Sequence, residues 1–148
     1  MGQTAVVRLP VTRLLDINVL LALAWPQHIH HDRVKRWVRS QTTHGKLSLA
    51  TCSITQLGFL RISMNIKGYA ADFESARSLL SSLVHHQEFV HSFWTDDFSI
   101  LSGSLKRNPG PNQLTDAYLA ALAENRPGGK LATLDDGIKG ASVEVIPG

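Results

Sequence analysis

Short apolar runs alternate along this chain with longer stretches of helical periodicity, and that alternation restricts the fold more than any other feature. Val11 to Leu15, Leu47 to Thr51, Glu88 to Phe93, Lys130 to Leu134 and Val143 to Ile146 read as short, largely buried strands. Between them, Asn18 to Trp25, His31 to Ser40 and Ser53 to Asn65 read as helices. So does the segment in which Phe73, Ala76, Leu80, Leu83 and Val84 recur at helical spacing. In His31 to Ser40, Val34, Trp37 and Val38 face inward and leave Arg33, Arg36 and Arg39 to solvent. Leu114, Ala117, Tyr118, Ala121 and Leu122 trace one apolar face of a last helix from about Asn112 to Asn125. Strands separated by helices pair in parallel, with helices covering both sheet faces. The expectation is α/β: a three-layer α/β/α domain spanning 1–148, around a central parallel sheet of about four to five strands.

Composition narrows the class further. The chain has 148 residues, enough for one core without staples. Its 43% hydrophobic and 18% charged residues exclude a disordered or fibrous chain. A net charge of +3 permits a polyanionic partner without demanding one. The lone Cys52 excludes an intrachain disulfide, and no paired Cys/His spacing suggests zinc, so a reducing cytoplasm is the natural setting. Ile17 to Trp25 is too short to cross a bilayer, which argues against a membrane protein. With Arg8 and Arg13 upstream and Ala22-Leu23-Ala24 inside it, the run imitates a secretion signal. Asp16 and Asn18 at its edge and Pro26 at its end favour an ordinary helix. Ser102 to Asn112, with Gly103, Pro109, Gly110 and Pro111, reads as a long irregular loop, and such loops are more often functional than idle.

In parallel α/β sheets, sites form where strands end and the following helices begin. Four polar residues occupy such positions: Asp16 after the first strand, Gln56 and Asp116 in first turns of helices, and Asp135 after Leu134. Each has an ordinary explanation. Asp16 or Asn18 caps the next helix, Ser53 and Gln56 match a capping box, Asp116 complements a helix dipole, and Asp135-Asp136-Gly137 is a turn. Their convergence on one sheet edge says more than any of them alone. Several unpaired carboxylates in one place repel and raise one another's pKa. A hard divalent cation relieves that repulsion, and an oxygen-only set suits Mg²⁺, with Mn²⁺ as a substitute. Such an ion, keeping several waters, suits phosphodiester hydrolysis.

At these residues the sequence resembles the PIN-domain ribonucleases, and specifically the VapC toxins of bacterial type II toxin–antitoxin systems. The matching segments are LLDINVLLALAWPQHIHH (Leu14 to His31), ATCSITQLGFLRI (Ala50 to Ile62), QLTDAYLAALA (Gln113 to Ala123) and GGKLATLDDGI (Gly128 to Ile138). The resemblance covers the chain from about Thr12 onward and implies a Mg²⁺-dependent endoribonuclease, silenced by a cognate VapB-type antitoxin and expected to form a homodimer. It implies that Asp16 and Asp116 hold the metal and that Asp135 completes the acidic pocket, with Asn18, Thr115 and Thr133 as supporting hydrogen-bonders. Gln56 departs from the pattern, because many PIN domains place Glu there. An amide oxygen can accept but brings no charge, which weakens the case for two metal ions.

Two other readings follow from the same residues. With Gln56, the chain is alternatively a weakened PIN-like module that binds RNA or an antitoxin. Asp16-Ile17-Asn18 also imitates the Asp-x-Asp opening of haloacid-dehalogenase-like phosphatases, but Asn18 cannot serve there as a general acid. Arg61 and Lys67, near the Gln56 helix, are candidates for guiding RNA, ahead of Arg33, Lys35, Arg36 and Arg39. His28, His30 and His31 read as a solvated loop away from the strand ends, and His85, His86 and His91 as no more. Cys52 reads as a small buried residue, and Asp96-Asp97 as the cap of a short turn.

Overall fold

Adjacent leucines on the first strand divide the molecule into two cores. A computed structural model gives the fold, and the structure describes residues 10–101, 105 and 108–148, so part of the Ser102–Asn112 loop lies outside the described residues. Strand β1 (Thr12–Leu15) ends in Leu14 and Leu15, both fully buried, and successive strand side chains point to opposite faces. Leu15 enters a core shared with α1 (Ile17–Ala24), α2 (His31–Gln41), α3 (Ser53–Asn65) and α4 (Phe73–Val84). Leu14 enters a second core on the other face, against Leu119, Leu122 and Ala123 of α5 (Leu114–Glu124). The three-layer architecture is the one expected from the alternation of elements. The apolar run that imitates a secretion signal is α1, whose Val19 to Leu23 are all buried.

The sheet comprises β1, β2 (Leu47–Cys52), β3 (Phe89–Trp94), β4 (Gly129–Thr133) and β5 (Val143–Val145), ordered β3-β2-β1-β4-β5 and parallel throughout. From β1 the chain builds outward through β2 and β3, then crosses the other face as α5 and resumes beside β1 as β4. The strand order therefore reverses between β1 and β4. The crevice beyond the C-terminal ends of two such strands is where ligands bind in open α/β sheets. Leu15 pairs with Ala132, which sets Asp16 beside Thr133 at that crevice. The Asp16 N–H donates to the Ala132 carbonyl at 3.2 Å and continues the ladder one residue past the strand.

Three local expectations change in the folded chain. Helix α3 starts at Ser53 with Cys52 as its cap, because β2 runs into the helix with no intervening loop. The residue that reaches back to the Cys52 N–H is Thr55, through Oγ1 at 2.9 Å, so Gln56 is released from the expected capping box. Arg33 is not left to solvent. Its guanidinium donates to the carbonyls of Ile146 and Pro147 and fastens the C-terminal segment to α2. Asp96 caps a helix from a distance: its Oδ2 accepts from the Ile54 N–H at 3.2 Å in the first turn of α3. On the opposite sheet edge, Glu144 takes Arg13 Nε at 2.7 Å and Trp37 Nε1 at 3.1 Å, joining β1, α2 and β5.

Gly129 opens β4 where a side chain has no room. A Cβ there would collide with the Ala123 carbonyl oxygen at the end of α5, and backbone cannot yield as a side chain can. Gly129→Ala is expected to lower stability by about 2 kcal/mol or more in urea denaturation. Gly140→Ala, whose new Cβ would meet only Val143 Cγ2 at 3.8 Å, serves as the near-neutral control.

Candidate active site

Asp16 has two duties at one atom set. Its Oδ1 accepts from the Val19 N–H at 2.9 Å and caps α1, as expected of an acid in that position. The residue is nevertheless only 3% exposed, and the Thr133 hydroxyl hydrogen-bonds to its carboxylate. Thr133 Oγ1 also accepts from the Asp135 N–H at 3.0 Å, so its proton is the one it gives to Asp16. One buried hydroxyl thus ties the end of β1 to the turn after β4.

The electrostatics bring three acids together. Burial pushes the Asp16 carboxyl up to about 6, against the lowering effect of its two hydrogen bonds, and the charges of Asp116 and Asp135 push the same way. Asp116, half-buried in the first turn of α5, is raised by burial and then by Asp135. Among the described residues none of the three acids is ion-paired. The acids come from both sides of the sheet: Asp16 from the β1–α1 junction, Asp135 from the β4 turn, Asp116 from the opposite helical layer. Among the described residues no three His, Cys, Asp or Glu side chains form a ready-made metal cage. Two carboxylates completed by water are a sparser set, and that set is the usual one for Mg²⁺.

The remaining predicted residues distribute unevenly. Asn18, exposed in the first turn of α1, and Asp135 line a cavity of about 400 Å³. Asp135 Oδ1 also accepts from the Gly137 N–H at 2.8 Å, so the turn explanation holds alongside. Thr115 is exposed on the first turn of α5. Gln56 is half-buried, and its Nε2 donates to Thr51 Oγ1 at 3.0 Å. Thr51 Oγ1 lies 2.7 Å from His91 Nε2, so the amide nitrogen belongs to a Gln56–Thr51–His91 chain, and among the described residues no hydrogen bond joins Gln56 to the acids. Arg61 on α3 and Lys67 in the following turn are exposed and line neither cavity. The larger cavity, about 680 Å³, lies between α5 and residues 137–143, and contains none of the three acids. Burial raises the Cys52 thiol, which suits a core residue and not a nucleophile.

The histidine loop requires a correction. His28 and His30 are not remote from the strand ends: they line the 400 Å³ cavity together with Asn18, Leu134 and Asp135. The chain returns because Trp25 stacks on Tyr69, ring centres 4.5 Å apart, and donates from Nε1 to the buried Ser63 Oγ at 2.9 Å. His31 is separate, with its Nδ1 2.7 Å from the Ala22 carbonyl. No sequence signal carries this, since the anchoring partners lie in a distant helix and turn.

Comparison with curated proteins finds several similar sequences. Ribonuclease VapC38 of Mycobacterium tuberculosis is 40% identical over 127 residues, covering 84% of this chain and 86% of the relative. The chain belongs to the VapC ribonuclease family. Ribonuclease VapC39 of the same species is 36% identical over 143 residues, 92% of this chain and all of the relative, and ribonuclease VapC29 is 38% identical over 128 residues. No family profile matches the chain. The resemblance read from four motifs is thus the family found across nearly the whole VapC-like sequence. No helix among the described residues is long and apolar enough to cross a membrane.

The raised Asp16 carboxyl makes stability depend on pH in a defined direction. A carboxyl that titrates near 6 when folded and 3.8 when unfolded favours the fold below pH 3.8, and this contribution is lost as pH rises through 6. Asp16→Asn removes the buried charge and keeps an acceptor for Val19. In EDTA at pH 8 the variant is expected to be more stable than the parent by about 1–3 kcal/mol. The difference should shrink towards pH 4, measured by urea unfolding across that range.

Proposed function

We propose that this chain is a metal-dependent endoribonuclease, the toxin of a type II toxin–antitoxin pair, and that Asp16 and Asp116 hold its cation. The observation that carries this reading is a buried, unpaired Asp16 coupled to Asp116 and Asp135 at the reversal between β1 and β4. Three neighbouring carboxyls that have no ion-pair partner among the described residues fit a hard divalent ion, Mg²⁺ or Mn²⁺. When bound, the ion would polarise a phosphodiester and lower the pKa of a coordinated water.

The chain's own part is to hold and orient. The Val19 N–H and the Thr133 hydroxyl fix Asp16 in one rotamer, so a ligand atom need not be ordered on binding. Asp116 supplies the second carboxylate from the other helical layer. Asp135, exposed at the cavity wall, is an acceptor for a water or a substrate hydroxyl. Gln56 gives its Nε2 to Thr51, so only its uncharged amide oxygen is left to accept at the site. The partners on this reading are RNA, a VapB-type antitoxin and a second copy of the chain. Exposed Leu57 and Met64 on the outer face of α3 supply apolar surface for a protein partner.

The test is cleavage of a labelled single-stranded RNA by antitoxin-free protein in Mg²⁺, in Mn²⁺ and in EDTA. Cleavage should require the cation, and Asp116→Asn should lower it by at least about 100-fold while the unfolding transition stays near that of the parent. Metal-independent cleavage, or an active Asp116→Asn, would overturn the assignment.

A further inference from the structure

We propose that the loop carrying His28 and His30 forms a nucleobase-binding wall beside the acidic crevice, selective for an unpaired base that bears an exocyclic amino group. The inference rests on the ribonuclease reading and adds where a nucleotide of the substrate sits. The cavity is lined by Asn18, His28, His30, Leu134 and Asp135. Its volume of about 400 Å³ lies within the range usual for small-ligand sites.

The lining favours a base over a phosphate. Among the described residues no Lys or Arg lines the cavity, and a phosphate there would face the Asp135 carboxylate. A base edge offers donors and acceptors together, which an amide and a carboxylate match. A carboxylate accepts from the amino group of cytosine, adenine or guanine, whereas uracil presents no such group. Asp135 has one oxygen for this, because Oδ1 is engaged by the Gly137 N–H.

The histidines supply ring faces. Their centroids are 5.8 Å apart and their planes are inclined at 44°, so the two rings form an angled wall. His28 Nδ1 accepts from the His30 N–H at 3.0 Å, which leaves its Nε2 as the protonated nitrogen of the neutral ring. Burial, then the charges of His30 and His31, lowers the His28 pKa and keeps that ring neutral. Unpaired bases stack on such rings and are read along their edges, as in single-strand recognition generally. The wall is held in advance: the His28 N–H donates to the Trp25 carbonyl and the His31 N–H to the His28 carbonyl, both at 3.0 Å.

Two measurements test this. Isotope-labelled full-length protein in EDTA is titrated with hexamers of adenylate, cytidylate and uridylate, following the ring signals of all seven histidines. The His28 and His30 signals should move with the adenylate and cytidylate hexamers at concentrations at least about threefold below those needed for uridylate, while His85 and His86 stay still. Ring signals of His28 and His30 that do not move, or that move equally with all three, would overturn the proposal. The second measurement is cleavage kinetics of His28→Asn combined with His30→Ala. Asn can still accept from the residue 30 N–H, so the turn survives without the ring. KM should rise about tenfold, equivalent to about 1.4 kcal/mol, with kcat within about twofold of the parent. An unchanged KM overturns the wall. If the double variant fails to fold, the titration of the unaltered protein decides alone. Shifted His28 and His30 signals in a protein that cleaves no RNA would end the ribonuclease reading and keep the base site. Active cleavage with still signals and unchanged KM would end only the base site.

Discussion

Asp16 is a carboxylate that the fold buries at a place where it also needs it. The side chain closes β1, caps α1 and accepts from Thr133, while only 3% of the residue meets water. Burying a charge without a counter-ion is costly, and the raised carboxyl is the measure of that cost. The surroundings limit it with two hydrogen bonds and could do more only with a cation. Much else follows from this position. The cap sets where α1 begins, α1 fills the first core through Val19 to Leu23, and Thr133 is held against the start of the β4 turn.

The sheet order sets that buried acid among others. Because β4 returns beside β1 from the far face, the ends of these strands open on one crevice, and α5 enters it from the second layer. Asp116 is thereby coupled to acids that lie far from it along the chain. The loop after the Trp25 anchor comes back to the same end of the sheet, where His28 and His30 share a cavity with Asp135. The Arg13–Glu144–Trp37 cluster, by contrast, fastens β1, β5 and α2 to one another.

Much of this was legible before folding, for reasons that differ by residue. Strands and helices followed from periodicity, since Leu14 and Leu15 must part across a strand and Phe73 to Val84 must share a helix face. The acids at Asp16 and Asp135 were legible because they directly follow apolar strands, and a polar group there stands at the sheet's ligand-binding edge. Gln56 stands one position beyond the residue that closes the cap. The capping box fits Ser53 and Gln56 in sequence, but the strand continues to Cys52 and hands the cap to Thr55. Arg33 was read as solvated because a helix wheel has no knowledge of a C-terminal segment that comes to lie against it.

The sequence by itself determined the layered α/β class, the family, and which residue types could assemble an acidic crevice. The class and the residue types follow from local spacing and side-chain chemistry, and the family from the resemblance of four motifs. Only the tertiary structure decided which groups meet. It turned Gln56 toward Thr51, joined Thr133 to Asp16, and brought His28 and His30 to the cavity of Asn18 and Asp135. The reason is physical: each of these depends on strand order, on where a helix cap falls, or on one stacked pair, Trp25 and Tyr69, whose members lie far apart in the chain.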